Sequence, residues 1–331
     1  MRDLNKLKIG LVLAGGGGKG AYEAGVIAAL WDLGLVKNIC GVSGTSIGTV
    51  NTLLFCMEDR HLIEESWRSL QYSQFITLKE MLGITKIPAV VKSWIEKKGS
   101  VVFEGEEDYN TGLISQRGIR EFIEKYIDMQ KVKDTSIDLY GCAFNVDKQE
   151  PTYFHLNDYN GEEVVDICIA SCAIPDILNP ITIDGEAYVD GGFQSIFELD
   201  YKGDNVPIAP LLNHDCDMLL VVHLDYLEKV KPENYPHHAI IEIFPSVPLE
   251  IANGFGTLNI FKDTIEKLID LGYRDTLVSL APILLAYIRG EEIQPYLKIN
   301  HDKSANLIET HKPLPIELVN FIHERIMPKK G

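Results

Sequence analysis

The sequence predicts an α/β fold in three layers, with a mostly parallel central sheet covered by helices on both faces. Three observations carry that prediction. Apolar runs of strand length alternate with stretches of helical periodicity along the chain. The opening unit is a strand, a glycine run (Gly15-Gly16-Gly17-Gly18-Lys19-Gly20) and a helix. The 331 residues, 46% hydrophobic and 24% charged, suffice for one large core with an ordinary globular composition.

Lys8 to Leu13 reads as the first strand, and Ala21 to Leu33 as a helix with apolar residues at Ala24, Ile27, Ala28 and Leu30 or Trp31. Ile39 to Val42 is a second short strand, and Ile47 to Met57 a helix apolar enough to be buried. Arg60 to Asp108 is irregular, mixed apolar and charged, and is expected to form a surface insertion or lid. Glu121 to Ile127 continues a helix, Ile137 to Phe144 is a core strand, and Val164 to Cys172 is a buried helix ending near Pro175. A hairpin turning at Asp184-Gly185 follows, over Ile181 to Val189. Met218 to Leu224 and Ile240 to Phe244 are strands, whereas Thr257 to Leu271 and Leu277 to Ile288 are helices. No repeat or low-complexity linker divides the chain. The expected organisation is a domain over residues 8–203 and a C-terminal segment, 204–331, packed on the same body.

Charge and cysteine usage exclude several classes. A net charge of -17 opposes the basic footprint that nucleic acid requires, so no nucleic-acid partner is expected. It also opposes electrostatic docking on anionic membranes, yet leaves hydrophobic, peripheral contact with lipid open. The charged N-terminus leads into a short strand, not a signal peptide, and Leu277 to Ile288 is too short to span a bilayer. Six dispersed cysteines, Cys40, Cys56, Cys142, Cys168, Cys172 and Cys216, read as buried thiols of a cytoplasmic protein. Cys168 and Cys172 lie four apart, but no second pair completes a zinc site, and no metal is expected.

The chemistry concentrates in three pieces. Gly44-Thr45-Ser46-Ile47-Gly48 fits a serine on a tight strand-to-helix turn, where glycines on either side let the hydroxyl project into a cleft. Ser46 is therefore the candidate nucleophile. A serine hydroxyl needs a base within hydrogen-bond reach. Asp190, followed by Gly191 and Gly192, is the candidate general base, and desolvation in a cleft would raise its pKa toward a useful value. Backbone N–H groups of Gly16, Gly17 and Gly18 are the candidate oxyanion donors, flanked by Gly15 and Gly20, with the N-terminus of the helix after Ser46 adding its dipole. Lys19 either adds positive charge there or projects into solvent.

With these pieces in place, the chain resembles the patatin-like phospholipases over roughly residues 8–203. The resemblance rests on the glycine run continuing into Ala21-Tyr22-Glu23-Ala24-Gly25-Val26, and on Gly41 through Asn51 around Ser46. A third block runs from Ala170-Ser171-Cys172-Ala173-Ile174-Pro175 to Tyr188-Val189-Asp190-Gly191-Gly192. The resemblance implies a Ser46–Asp190 dyad without histidine, an oxyanion hole at Gly16, Gly17 and Gly18, and an acyl-serine intermediate. It implies hydrolysis of fatty acyl esters, phospholipids first among them, with no cofactor or metal. Asp176-Ile177-Leu178-Asn179-Pro180 lacks the aromatic residue expected before the last proline, which bears on the acyl pocket. Leu268 to Asp275 resembles a helix-ending segment of bacterial members.

Three rival readings stand beside this one, the third being a non-catalytic scaffold that kept the fold, against which the intact Ser46, Asp190 and glycines argue. An α/β-hydrolase triad would recruit His214, His223, His237 or His238, although that fold places its nucleophile after more strands than precede Ser46. Gly15-x-Gly17-x-x-Gly20 formally fits a dinucleotide fingerprint, whereas a P-loop fails because Lys19 is followed by Gly20. No nucleotide partner is expected.

Overall fold

The computed structural model describes residues 2–70, 116–174, 178–192, 203–226, 229–249 and 262–311. In chain order its elements are β1 (Ile9–Leu13), α1 (Ala21–Asp32), β2 (Ile39–Thr45), α2 (Ile47–Cys56) and α3 (Arg60–Arg68). Then come α4 (Gln116–Tyr126), α5 (Met129–Asp134), β3 (Asp138–Asn145), β4 (Glu150–His155), α6 (Gly161–Ser171), β5 (Ile181–Ile183) and β6 (Glu186–Asp190). The last elements are β7 (Met218–Val222), β8 (Ala239–Ile243), α7 (Lys262–Arg289) and α8 (Gln294–His311). Residues 71–108 of the expected lid lie outside the described residues, and Arg60–Arg68 is a regular helix capped by Asp59, which accepts from the Leu62 N–H at 3.0 Å.

The strands form an eight-stranded sheet in the order β5-β6-β3-β2-β1-β7-β8, with β4 also on β3. Its body, β3-β2-β1-β7-β8, is entirely parallel. β4, β5 and β6 join antiparallel at one end. β1 and β7 are buried at every position, as strands covered on both faces must be. The mostly parallel α/β architecture expected from the sequence is therefore present, and β7 and β8 extend the same sheet as β1. The β5–β6 hairpin turns at Asp184 (φ 51°) and Gly185 (φ 83°), the pair of positive dihedrals a two-residue hairpin needs.

One register detail places the site. β3 offers one edge to β4 from Tyr140 to Asn145. Its other edge is shared end to end by two strands: β2 pairs as far as Thr45 opposite Cys142, and β6 pairs from the other direction until Asp190 stands opposite Ala143. Because Cys142 and Ala143 are consecutive, β2 and β6 end head to head. The residue after Thr45 is Ser46, so the strand register itself brings Ser46 to Asp190.

The C-terminal helices lock onto this body through small residues. A Cβ on Gly25 of α1 would strike the Ile269 carbonyl, and one on Gly272 would strike the Tyr22 carbonyl. The two helix backbones thus touch where both residues are glycine. Tyr22 donates to Asp275 at 3.1 Å beside the crossing. The two helices expected at Thr257 to Leu271 and Leu277 to Ile288 are one, α7, in which Pro282 is internal. Leu268 to Asp275 is its middle, not a helix end, because Gly272 serves a close crossing instead of a C-cap. By length and composition α7 could cross a membrane, yet Leu268, Ile269, Gly272, Asp275 and Thr276 are buried. Gly25→Val should lower unfolding free energy by about 3 kcal/mol or more, because packed backbones cannot absorb a branched side chain. A denaturant titration placing the variant within about 1 kcal/mol of wild type would refute that crossing.

Candidate active site

Ser46 links β2 to α2 with φ 54° and ψ -124°, a left-handed conformation that costs a side-chain-bearing residue about 1–3 kcal/mol. The neighbouring glycines make the turn feasible. A Cβ on Gly44 would run into the Gly48 backbone, and one on Gly48 would run into the Leu13 carbonyl at the end of β1. The elbow is thus pressed against two strand ends, with Ser46 at 6% exposure.

The glycine run turns beside it. Gly17–Gly20 is a short 3-10 turn leading directly into α1, and the first N–H groups of such a turn have no acceptor within it. A Cβ on Gly15 would stand 3.2 Å from Ser46 Cβ, so this loop begins against the serine. Lys19 is buried at 5% exposure, which rules against its projecting into solvent. Behind the loop, fully buried Glu23 accepts from Asn51 Nδ2 at 2.6 Å, and Asn51 Oδ1 accepts from Trp67 Nε1 at 2.9 Å, tying α1, α2 and α3 together. Burial pushes the Glu23 carboxyl well above the usual carboxylate range.

Asp190, at 4% exposure, ends β6 with the Ser46 side chain in hydrogen-bonding reach of its carboxylate. Its Oδ1 also accepts from the Gly192 N–H at 2.8 Å. Burial raises the carboxyl, the two hydrogen bonds partly offset that, and the pKa comes to about 6. A buried carboxylate raised toward neutrality beside a serine side chain has the character that proton transfer from a hydroxyl requires.

Two short segments to which the sequence reading assigned no role in the site hold these pieces in place. Ser171, at the end of α6, accepts from the Ser46 N–H at 2.8 Å, and two residues later the Ala173 carbonyl accepts from the Asp190 N–H at 2.9 Å. Asp204 donates its N–H to the Gly191 carbonyl and accepts from Thr45 Oγ1, each at 2.7 Å. Asn205 brackets Gly15, accepting its N–H at 3.2 Å and donating from Nδ2 to its carbonyl at 3.4 Å. Asp204 and Asn205 therefore join the glycine loop, the elbow strand and the Asp-Gly-Gly turn. Ser171 and Ala173 belong to a block visible in the sequence, but nothing in composition marks Asp204 or Asn205.

None of the four histidines weighed for a triad hydrogen-bonds Ser46. His214 lies at the opposite end of the sheet, 3.1 Å from the Tyr140 hydroxyl and 3.3 Å from Asp138 Oδ2 at the start of β3. His237 and His238 precede β8, also at the far end. His223 is buried, stacks on Phe244 with ring centroids 3.9 Å apart, and lies 3.2 Å from Glu242. Among the described residues, no group of His, Cys, Asp and Glu is arranged to hold a metal ion.

Comparison with known proteins identifies the family of the chain. The sequence profile of the family described as patatin-like phospholipase matches residues 11–212. Lysophospholipase NTE1 of Cryptococcus neoformans var. neoformans serotype D is 27% identical over 236 residues, covering 71% of this chain and 12% of that protein. Lysophospholipase nte1 of Aspergillus terreus is 25% identical over 234 residues, covering 71% of this chain and 13% of its own length. The chain thus spans only about an eighth of the length of these curated relatives. Among solved structures, human GIVD cytosolic phospholipase A2 in complex with methyl gamma-linolenyl fluorophosphonate aligns with a TM-score of 0.47 and 12% identity, over 90% of this chain and 60% of that one. VipD from Legionella pneumophila aligns with a TM-score of 0.36 and 14% identity, over 83% and 67% respectively. The profile covers well over half of the chain and contains the glycine loop, the elbow and the Asp-Gly-Gly turn: this protein belongs to the patatin-like phospholipase family.

Proposed function

We propose that this chain hydrolyses fatty acyl esters of lipids, phospholipids or lysophospholipids, with Ser46 as nucleophile and Asp190 as general base. The observation that carries the reading is the head-to-head ending of β2 and β6 on one edge of β3, which sets a strained serine against a buried carboxylate. Asp190 takes the Ser46 proton as Oγ attacks the ester carbonyl. The oxyanion is stabilised by backbone N–H groups of Gly16, Gly17 and Gly18, each such donor contributing roughly 10² to 10³ in rate. Collapse expels the alcohol, which takes the proton from Asp190 and leaves an acyl-serine. A water molecule, deprotonated in turn by Asp190, attacks the acyl carbonyl, and collapse releases the fatty acid as Asp190 returns that proton to Ser46 Oγ.

What favours this dyad over a histidine triad is that the Asp190 carboxylate lies beside Ser46, while His214 faces Tyr140 and Asp138, His223 stacks on Phe244 beside Glu242, and His237 and His238 precede β8 at the far end of the sheet. The family profile favours lipid esters over a nucleotide ligand for the glycine loop. We also read the protein as cytoplasmic, with peripheral access to lipid; recovery only in an integral membrane fraction would overturn that.

The test is a pH profile of kcat/KM on a short-chain nitrophenyl ester. A base must be deprotonated to act, so activity should rise about tenfold per pH unit below the Asp190 pKa of about 6 and level off above it. A flat profile between pH 4.5 and 8 would contradict the assignment. Lipid profiling of products then identifies headgroup and acyl length.

A further inference from the structure

We propose that Ser171 is a positioning residue for the nucleophile, acting through the Ser46 backbone, and that the turn Ser171–Ala173 fixes the separation of the two catalytic groups. The proposal rests on the reading of Ser46 as nucleophile and deepens it.

The positive φ of Ser46 persists only if its surroundings over-determine it. At the start of α2 its N–H has no intrahelical acceptor and is buried, so it needs a side-chain partner. That partner is Ser171 Oγ at 2.8 Å. The orientation of this hydroxyl is set from the other side. Ser171 donates to the Cys142 carbonyl at 2.5 Å, and Cys142 is the residue opposite Thr45 in the β2–β3 register. With its hydrogen committed to Cys142, Ser171 presents a lone pair to the Ser46 N–H. Thr49 Oγ1 lies 2.9 Å away and is 2.8 Å from the Gly44 carbonyl, so the same hydroxyl also touches the first turn of α2. Ser171 is fully buried, which reserves it for this network.

A second consequence concerns the oxyanion. Because the Ser46 N–H is bound to Ser171, it is not a donor to substrate, and stabilisation falls to the glycine loop.

The base is held by the same turn. Ala173 accepts the Asp190 N–H at 2.9 Å, and Cys172 between them lies within reach of the Ser46 side chain. One rigid turn, at the end of a helix capped by Asn160 and Glu163, therefore spans both groups. Removing the Ser171 hydroxyl frees the elbow while leaving Asp190 in place. That changes their relative position, and misplacement of about 1 Å can cost roughly a hundredfold in rate.

The experiment compares wild type, Ser171→Ala and Ser171→Thr by three measurements: kcat and KM on a nitrophenyl ester, the second-order rate of Ser46 modification by a fluorophosphonate, and the melting temperature. For Ser171→Ala, kcat and the modification rate should each fall about 10- to 100-fold per folded molecule, with KM changed less than about threefold. Ser171→Thr, which keeps the hydroxyl, should recover most of the loss. If the added methyl prevents folding, Ser171→Cys, a weaker acceptor of similar shape, should fall between wild type and alanine. A wild-type modification rate in folded Ser171→Ala, with only the melting temperature lowered, would overturn the proposal. A wild type that carries no label at Ser46 would instead remove the reading beneath it.

Discussion

Asp190→Asn should cost at least about a thousandfold in kcat and, above neutral pH, make the protein more stable. The loss follows from chemistry: an amide nearly isosteric with the carboxylate keeps the shape of the site but cannot take the Ser46 proton. The gain follows from linkage. Asp190 titrates at about 6 in the folded chain against 3.8 as an ordinary aspartate, so the folded state holds its proton more tightly. With the folded pKa raised, the favourable contribution is complete below about pH 4 and is lost as pH rises through about 6. At pH 8 the buried charge costs about 3 kcal/mol, at 1.36 kcal/mol per pKa unit, and asparagine removes that cost. Denaturation at pH 4.5 and pH 8 checks the sign: the variant should lead wild type at pH 8 by more than at pH 4.5. A constant difference across that range would mean that Asp190 is not a buried charge.

Ser46→Ala should abolish turnover to about 10⁻⁴ of wild type or less and eliminate covalent labelling by a fluorophosphonate. No neighbouring group can replace the hydroxyl. Cys172 lies close, but burial and the nearby Asp190 push its thiol well above the usual range, leaving it protonated and unreactive. Ser46→Gly should be equally inactive yet about 1 kcal/mol more stable, because glycine adopts φ 54° without a Cβ penalty. Intact-protein mass spectrometry reads the first result and thermal denaturation the second; residual labelling of Ser46→Ala would place the nucleophile elsewhere.

Much of this arrangement was legible because its causes are local. Strand β1, the glycine loop and α1 are read to within a residue or two, since an apolar run, six residues of turn chemistry and a helical period follow one another without ambiguity. The hairpin at Asp184-Gly185 is equally plain, because only a few residue pairs accept two positive dihedrals. Strand β4 escaped: Glu150–His155 carries Pro151 and only Phe154 is buried, so it lacks the apolar run that marks its neighbours. Helix α8 escaped because its polar sequence buries only Leu297, Asn300 and Ser304. Helix α7 was divided because Gly272 resembles a stop signal, whereas it serves a helix crossing that only α1 explains. The supports of the site were the least legible. Ser171 reaches Ser46, and Asn205 reaches Gly15, across segments far apart in sequence, and neither spacing nor composition encodes such contacts.

The rate of Ser46 phosphonylation by a fluorophosphonate as a function of pH, in wild type and in Asp190→Asn, tests the two-residue mechanism most directly. In wild type the rate should climb with a midpoint near pH 6. In the variant it should be at least about a hundredfold lower at pH 8 and lose that midpoint. Equal rates in the two proteins, with the midpoint retained, would show that another group activates Ser46.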